Sequence, residues 1–195
     1  MPNKPTKVRT NLTPNSVKTV QLKAVTFQEL WDNYPSGNPY DNPAYDNQCA
    51  IRMSVAFHRV GVEMKSFSEK VLKPLLGKKG IGRIILSGKA TATRANELGE
   101  WLKLQPVAGI GKPENITGTD WLSRVKGRTG IIMFDGYWTR GSESDANASG
   151  GHIDLWNGAK MTGFGTGIRV DWNIVIPGVC SDFRNSKTIL FFPVK

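Results

Sequence analysis

Asp46-Asn47-Gln48-Cys49-Ala50-Ile51-Arg52-Met53-Ser54-Val55-Ala56-Phe57-His58-Arg59-Val60-Gly61 is the stretch that decides how the chain folds. Met53, Ala56, Phe57 and Val60 recur at the i, i+3, i+4 spacing of one helical face. Asp46 or Asn47 supplies the expected N-cap and Gly61 the stop. Cys49 then stands in the first helical turn, where free N–H groups and the helix dipole favour a thiolate. The same N–H groups suit the oxyanion of a tetrahedral intermediate.

Upstream, Phe27, Leu30 and Trp31 predict a short helix, closed by the turn-rich run Asn33-Tyr34-Pro35-Ser36-Gly37-Asn38-Pro39 and followed by the turn signal Asp41-Asn42-Pro43. Downstream, Ala95, Leu98, Trp101 and Leu102 form a second apolar stripe. Trp121, Leu122 and Val125 form a third, with Thr117 and Thr119 as candidate caps. The basic loop Gly77-Lys78-Lys79-Gly80-Ile81-Gly82-Arg83 lacks the Gly-Lys-Ser/Thr ending of a phosphate-binding loop. The second half reads as strands: Gly130 to Phe134, His152 to Trp156, Ile168 to Ile176 and Thr188 to Val194. Asn157-Gly158 is a two-residue hairpin signal, and a polar loop runs from Thr139 to Gly151. Helices first and an antiparallel sheet afterwards make an α+β fold.

The chain has 195 residues, with 26 Lys+Arg against 16 Asp+Glu and a formal net charge of +10. Hydrophobic residues make up 39%, and six Trp, eight Phe and four Tyr require a core, which excludes disorder across the whole chain. Only two cysteines, Cys49 and Cys180, exclude a disulfide framework. No apolar run is long enough to span a membrane. Lys4, Lys7, Arg9, Lys18 and Lys23 precede the first acid, Glu29, and no apolar stretch follows them as a signal peptide requires. Residues 1–26 are therefore expected to be an extended basic arm, and residues 27–195 a single catalytic domain.

A thiolate nucleophile needs a base, and the chain has two histidines. His58 lies on the same helix as Cys49, half a turn out of phase at about 100° per residue, so it points away and reads as a surface or core-rim residue. His152 opens a strand after the Gly-rich Ser149-Gly150-Gly151. A strand packed on a helix start brings imidazole to thiol. The alternative is a buried free cysteine with a structural histidine. Cys180, after Pro177-Gly178, reads as a free thiol in a turn; a bridge to Cys49 would silence the nucleophile. Two His and two Cys at these separations give no ligand cluster, so neither metal nor cofactor is expected.

Asp46-Asn47-Gln48-Cys49-Ala50-Ile51-Arg52-Met53-Ser54, then Gly61, and later Gly151-His152-Ile153-Asp154-Leu155-Trp156-Asn157-Gly158 resemble the two signature blocks of the type VI secretion amidase effectors, family four. Trp31 and Tyr34-Pro35 ahead of the first block are similar too, and the resemblance runs from about Phe27 to Lys195. It implies a papain-like, NlpC-type cysteine peptidase fold, N-terminal helices on an antiparallel sheet. The implied function is cleavage of peptidoglycan stem peptides between D-glutamate and meso-diaminopimelate. Cys49 matches the nucleophile and His152 the general base. The resemblance also implies a cognate periplasmic immunity protein that plugs the active site. It further implies export by the type VI machinery from the cytoplasm, without a signal peptide, into the periplasm of a target Gram-negative cell.

The sequence departs from the family at the third position. The family's acid falls about eleven positions after the histidine, where this chain has Gly163, and a hairpin centred on Asn157-Gly158 pairs His152 with Gly163. Asp154 shares the face of His152, and Asp171 comes from the next strand. Asp171 is slightly preferred, because a partner two positions along one strand meets the ring at an awkward distance; a backbone carbonyl would leave a dyad. Tyr40, Tyr45, Tyr137 and Trp138 are candidate groove residues, beside their ordinary role in packing. Two other functions fit parts of the pattern: another cysteine peptidase or acyltransferase with the same pair, and a non-catalytic basic protein that binds nucleic acid. The second expects basic residues clustered on one face with interleaved aromatics, and here Lys and Arg are spread. An immunity or adaptor protein has no use for a cysteine at a helix start.

Overall fold

Gly130 to Phe134 and Ile189 to Phe192 are unbroken apolar runs, so both faces of the main sheet must be covered, and helices cover one of them. The computed structural model describes residues 6–9, 17–20, 24–138, 150–162 and 183–195. The strand expected over Ile168 to Ile176 lies outside these residues, as does the loop from Thr139 to Ser149. Strands β1 (Thr6–Arg9) and β2 (Val17–Val20) pair antiparallel with each other, Thr6 opposite Val20. Part of the arm thus folds back on itself.

Helix α1 (Phe27–Asp32) starts at a capping box: Thr26 Oγ1 accepts from Glu29 N at 3.2 Å and Glu29 Oε2 from Thr26 N at 3.0 Å. Phe27 N also donates to Lys195 O at 2.8 Å, fixing the helix to the end of the chain. Helix α2 (Cys49–Arg59) begins where the apolar pattern places it, but its N-cap is Gln48, not Asp46 or Asn47. Gln48 does not cap with its side chain. Its amide clasps the Tyr40 backbone instead, Oε1 accepting from Tyr40 N at 3.1 Å and Nε2 donating to Tyr40 O at 2.6 Å. The helix ends before Gly61, whose φ of +91° suits glycine.

Strands β3 (Arg83–Leu86) and β4 (Lys89–Ala92) form a hairpin that the sequence reading did not include. Its turn, Ser87-Gly88, has φ +50° and +76°, so the signal was a Ser-Gly pair between two four-residue strands. Helices α3 (Ala95–Lys103) and α4 (Trp121–Val125) follow the two apolar stripes. The α4 N-cap is Asp120, not Thr117 or Thr119; Thr117 Oγ1 accepts from Ile189 N at 2.9 Å.

β5 (Glu114–Asn115), β6 (Gly130–Trp138), β7 (Gly150–Trp156) and β8 (Thr188–Pro193) make an antiparallel sheet in the order β5-β8-β6-β7. A register shift between Phe134 and Trp138 accompanies the positive φ of Gly136. One face carries Ile131, Met133, Ile153, Leu155, Leu190 and Phe192 against α2 and α3. The other carries Ile132, Phe134, Trp156, Ile189 and Phe191 under Trp121, Val125 and Phe183, the last from a 3-10 turn over residues 183–185. Each fully buried side chain of this size contributes roughly 1.5–3 kcal/mol. Among the described residues no helix is long and apolar enough to cross a membrane.

The turn after β7 corrects the expected register. Trp156 bridges Met161, so the turn centres on Gly158-Ala159 and not on Asn157-Gly158. Asn157 causes the shift: its Oδ1 accepts from Ala159 N at 3.0 Å and Lys160 N at 2.8 Å, an Asx turn one residue later than a two-residue hairpin. Gly163 itself lies outside the described residues.

Candidate active site

β7 borders the sheet among the described residues, and period-2 alternation decides what it offers. Ile153 and Leu155 turn to the α2–α3 face, while His152, Asp154 and Trp156 share the opposite one. Two N–H groups on the side of β7 away from β6 have partners other than a ladder strand. That of Leu155 donates to Asp154 Oδ1 at 2.8 Å, and that of Ile153 interacts with the Cys49 thiol. Gly151 precedes the histidine for a steric reason. A Cβ there would come 2.3 Å from Asn96 Oδ1 on α3.

Cys49 is the first residue of α2, a free and buried thiol. The first backbone bond of the helix is Arg52 N to Gln48 O at 2.8 Å, and no side chain caps the turn. The N–H groups of Cys49, Ala50 and Ile51 are thus left to the site. The helix packs on β7, which brings the thiol to His152. His152 Nε2 has no hydrogen bond of good geometry; it lies 3.5 Å from Asp154 Oδ2, an ion-pair separation. The His152 ring also lies 5.7 Å from Phe183, which stacks on Phe134 at 4.1 Å. Asp154 is 1% exposed, and Thr162 donates its hydroxyl to Oδ1. The packing of α2 on β7 and the alternation along β7 thus bring Cys49 and Asp154 both to His152.

The charges follow from this arrangement. Burial opposes ionisation of Cys49, but His152 outweighs it, helped by the Ile153 N–H, and the thiol is held below its ordinary value of 9.0. Burial likewise opposes protonation of His152, yet Asp154 and Cys49 push its pKa up to about 9. Asp154 is held below its ordinary value despite burial, because His152, Thr162 and the Leu155 N–H all favour the carboxylate. All three shifts favour the thiolate–imidazolium form of the pair, backed by a carboxylate.

Four neighbours, Tyr34, Arg52, Thr162 and Phe183, were not identified as site residues from the sequence. Tyr34 follows α1; burial, and then the Asp154 charge, hold its phenol well above 10.0, while Arg52 and Thr162 pull the other way. Its oxygen is buried with the Thr162 hydroxyl beside it but no well-formed hydrogen bond among the described residues, and Nε of Arg52 is likewise buried without one. Thr162 lay beyond the turn whose register the sequence misplaced. Phe183 sits in a three-residue 3-10 turn that carries no periodic signal.

Among the other expected residues, His58 is buried at the far end of α2, where its Nε2 donates to Ala90 O at 2.9 Å. Burial lowers its pKa, so it is a neutral packing residue of α2 on β4, away from the thiol. Tyr45 is half-buried with its ring 5.3 Å from that of Tyr40. Tyr137 is half-buried and stands 5.0 Å from Phe183, which links it to His152. Trp138 ends β6, its backbone opposite Gly150. Asp171 and Cys180 lie outside the described residues. The described residues hold no group of three or more His, Cys, Asp or Glu that fits a metal ion.

Comparison with known proteins gives these features a family. Residues 45–192, which include Cys49, His152 and Asp154, match the model of type VI secretion system (T6SS) amidase effector protein 4, Tae4. Among solved structures, the Tae4 effector from Enterobacter cloacae is similar in fold, with a TM-score of 0.54 and 16% identity over 90% of this chain and 100% of that one. The Tae4–Tai4 effector–immunity complex from Enterobacter cloacae gives 0.52 and 18%, over 87% and 98%. The Tae4/Tai4 system from Salmonella typhimurium gives 0.51 and 17%, over 88% and 99%. No curated protein sequence matches the chain. With the family model covering well over half of its length, the chain belongs to family four of the type VI secretion amidase effectors, antibacterial proteins that target peptidoglycan.

Proposed function

We propose that this effector is a papain-like, NlpC-type cysteine amidase that cuts the bond between D-glutamate and diaminopimelate in peptidoglycan stem peptides. The observation that carries the proposal is the buried Cys49–His152 pair at the junction of α2 and β7, with the imidazole pKa pushed up to about 9. In this reading the Cys49 thiolate attacks the amide carbon, and the uncapped N–H groups of α2 hold the oxyanion. The C–N bond breaks as His152 gives its proton to the departing amine. Neutral His152 then takes a proton from water, whose oxygen attacks the thioester; a carboxylate leaves, and the ion pair is restored. Asp154, 3.5 Å from Nε2, holds the imidazole so that its other nitrogen faces the sulfur. Asp154 therefore replaces Asp171 as the preferred third residue.

Tyr45, Tyr137 and Trp138 are proposed to line the peptide groove, with residues 27–195 as one catalytic domain and 1–26 as its basic arm. The Tae4–Tai4 complexes support a cognate immunity protein for this chain as well. Delivery by the type VI machinery into the periplasm of a Gram-negative neighbour completes the proposal. The test directs the protein to the periplasm and compares it with Cys49→Ala and His152→Ala. Wild type should lyse the cells, both variants should not, and mass analysis of muropeptides should place the cut at the D-glutamyl–diaminopimelate bond. Lysis by Cys49→Ala, or a cut elsewhere, refutes it.

A further inference from the structure

Two donors near the catalytic pair, the Tyr34 hydroxyl and Nε of Arg52, are buried without a well-formed hydrogen bond among the described residues, the Thr162 hydroxyl standing beside the phenol. The amide chemistry above uses neither. Arg52 stands three residues after Cys49 on α2, and residues at that spacing are neighbours on one helix face, with Cβ atoms about 5–6 Å apart. Its guanidinium is half-buried and makes no hydrogen bond or ion pair with any described residue. Tyr34 approaches from the end of α1, its backbone N–H bonded to Trp31 O at 3.3 Å and its ring packed on the core cluster that contains Cys49 and Met53. Asp154, Arg52 and Cys49 all act electrostatically on its phenol, so the four groups share one neighbourhood.

A buried donor without a partner carries the cost of its lost hydration uncompensated, more so when it is charged. Such groups are few in native proteins, and a functional role is one reason for keeping them. Asp154 does not serve Arg52. Its Oδ1 accepts from Leu155 N and the Thr162 hydroxyl, and its Oδ2 faces His152. Both orphans donate, so the missing partner accepts, and a guanidinium matches the planar, bidentate geometry of a carboxylate.

We propose that Arg52, with Tyr34 beside it, binds a free carboxylate that the substrate carries next to the scissile amide, which makes the enzyme selective for anionic stem peptides. The inference rests on the amidase reading and deepens it. A D-glutamyl residue joined through its side-chain carboxyl keeps its α-carboxylate, a few bonds from the carbonyl that Cys49 attacks. Amidation of that carboxylate removes the charge and turns an acceptor oxygen into a donor, so it confronts Arg52 with an N–H group.

Two muropeptides that differ only at this group, D-glutamate and its α-amide, provide the test. Wild type should cleave the carboxylate form with kcat/KM at least about tenfold higher, mainly through KM, as expected when a polar pocket loses its matching group. Arg52→Gln should narrow the ratio to within about twofold, and Arg52→Lys should retain part of it as a point charge without the fork. Cys49→Ala binds without cleaving, and its affinity should favour the carboxylate form by a similar factor. Equal cleavage of both forms by wild type, or an unchanged ratio in folded Arg52→Gln, overturns the inference alone. Cleavage of neither form overturns the amidase reading and the inference with it.

Discussion

Replacing Asp154 by Asn tests the electrostatic core of the site. The two side chains have nearly the same shape, so the change removes a charge from a residue that is 1% exposed without opening a cavity. His152 lies at about 9 rather than 6.5, a difference of 2.5 that corresponds to roughly 3 kcal/mol in favour of the imidazolium. At the observed 3.5 Å between Nε2 and Oδ2, a unit pair in an effective dielectric near 20 attracts by roughly 5 kcal/mol, part of which offsets burial. Asn cannot replace that attraction. Its oxygen would keep the Leu155 N–H and the Thr162 hydroxyl, which turns its NH2 toward Nε2 and forces the ring proton onto the nitrogen meant for sulfur. The imidazolium that protonates the leaving amine is lost as pH rises through the pKa of His152. The alkaline limb of kcat/KM should therefore stand near 9 in wild type and fall by about 2 pH units in Asp154→Asn. The rate at neutral pH should drop by about 10²–10⁴-fold. The assay is a pH–rate profile on soluble muropeptide, with thermal unfolding as the check on folding. An alkaline limb that stays near 9 in the folded variant refutes the assignment of Asp154.

Three further outcomes test the scaffold around the site. Glu97, 1% exposed, accepts from Leu75 N at 3.2 Å and pairs with Arg94 at 2.8 Å, so Glu97→Leu should cost about 3–5 kcal/mol in denaturant unfolding. A loss below about 1 kcal/mol would mean that the pair is dispensable. Gly99→Ala should destabilise by about 1–3 kcal/mol although alanine favours helix, because its Cβ would fall 2.0 Å from Met133 Sδ; a gain in melting temperature refutes the close packing. Glu114→Gln should change stability by less than about 1 kcal/mol, since its bond to Arg128, though only 2.6 Å long, joins side chains 42% and 39% exposed. A larger loss would show that the pair is shielded from solvent.

The parts of the fold that sequence periodicity revealed were those whose burial is one-sided and regular. Met53, Ala56 and Phe57 mark α2 because one face of the helix meets the sheet. Cys49 and His152 were legible for a different reason: one thiol at a helix start and one histidine after a glycine pair leave few arrangements. Caps were less legible. Gln48, Asp120 and the Asn157 turn depend on which backbone groups a neighbouring segment already satisfies, and Tyr40 takes the Gln48 amide. The β3–β4 hairpin escaped notice because its strands are only four residues long, and β4 buries Thr91 beside two alanines, which carry little apolar pattern. Tyr34 and Arg52 belong to the site through burial of single polar atoms, which no linear pattern records.

The third catalytic position joins these two kinds of information. The resemblance places the family's acid at residue 163, and glycine stands there. The objection to Asp154 was distance along one strand, yet the carboxylate does not have to reach the ring unaided. Thr162 and the Leu155 N–H hold one oxygen, and that leaves the other directed at Nε2. The segment after the turn thus contributes a hydroxyl that orients an acid, where the family pattern has it contribute the acid itself. Such an arrangement makes Thr162 a positioning residue whose effect passes through Asp154. Thr162→Val should lower the alkaline limb in the same direction as Asp154→Asn but by less, and should add little in the double variant. Thr162→Ser, which keeps the hydroxyl, should restore it. Full additivity of the two changes would separate Thr162 from the acid and return the third position to a group outside β7.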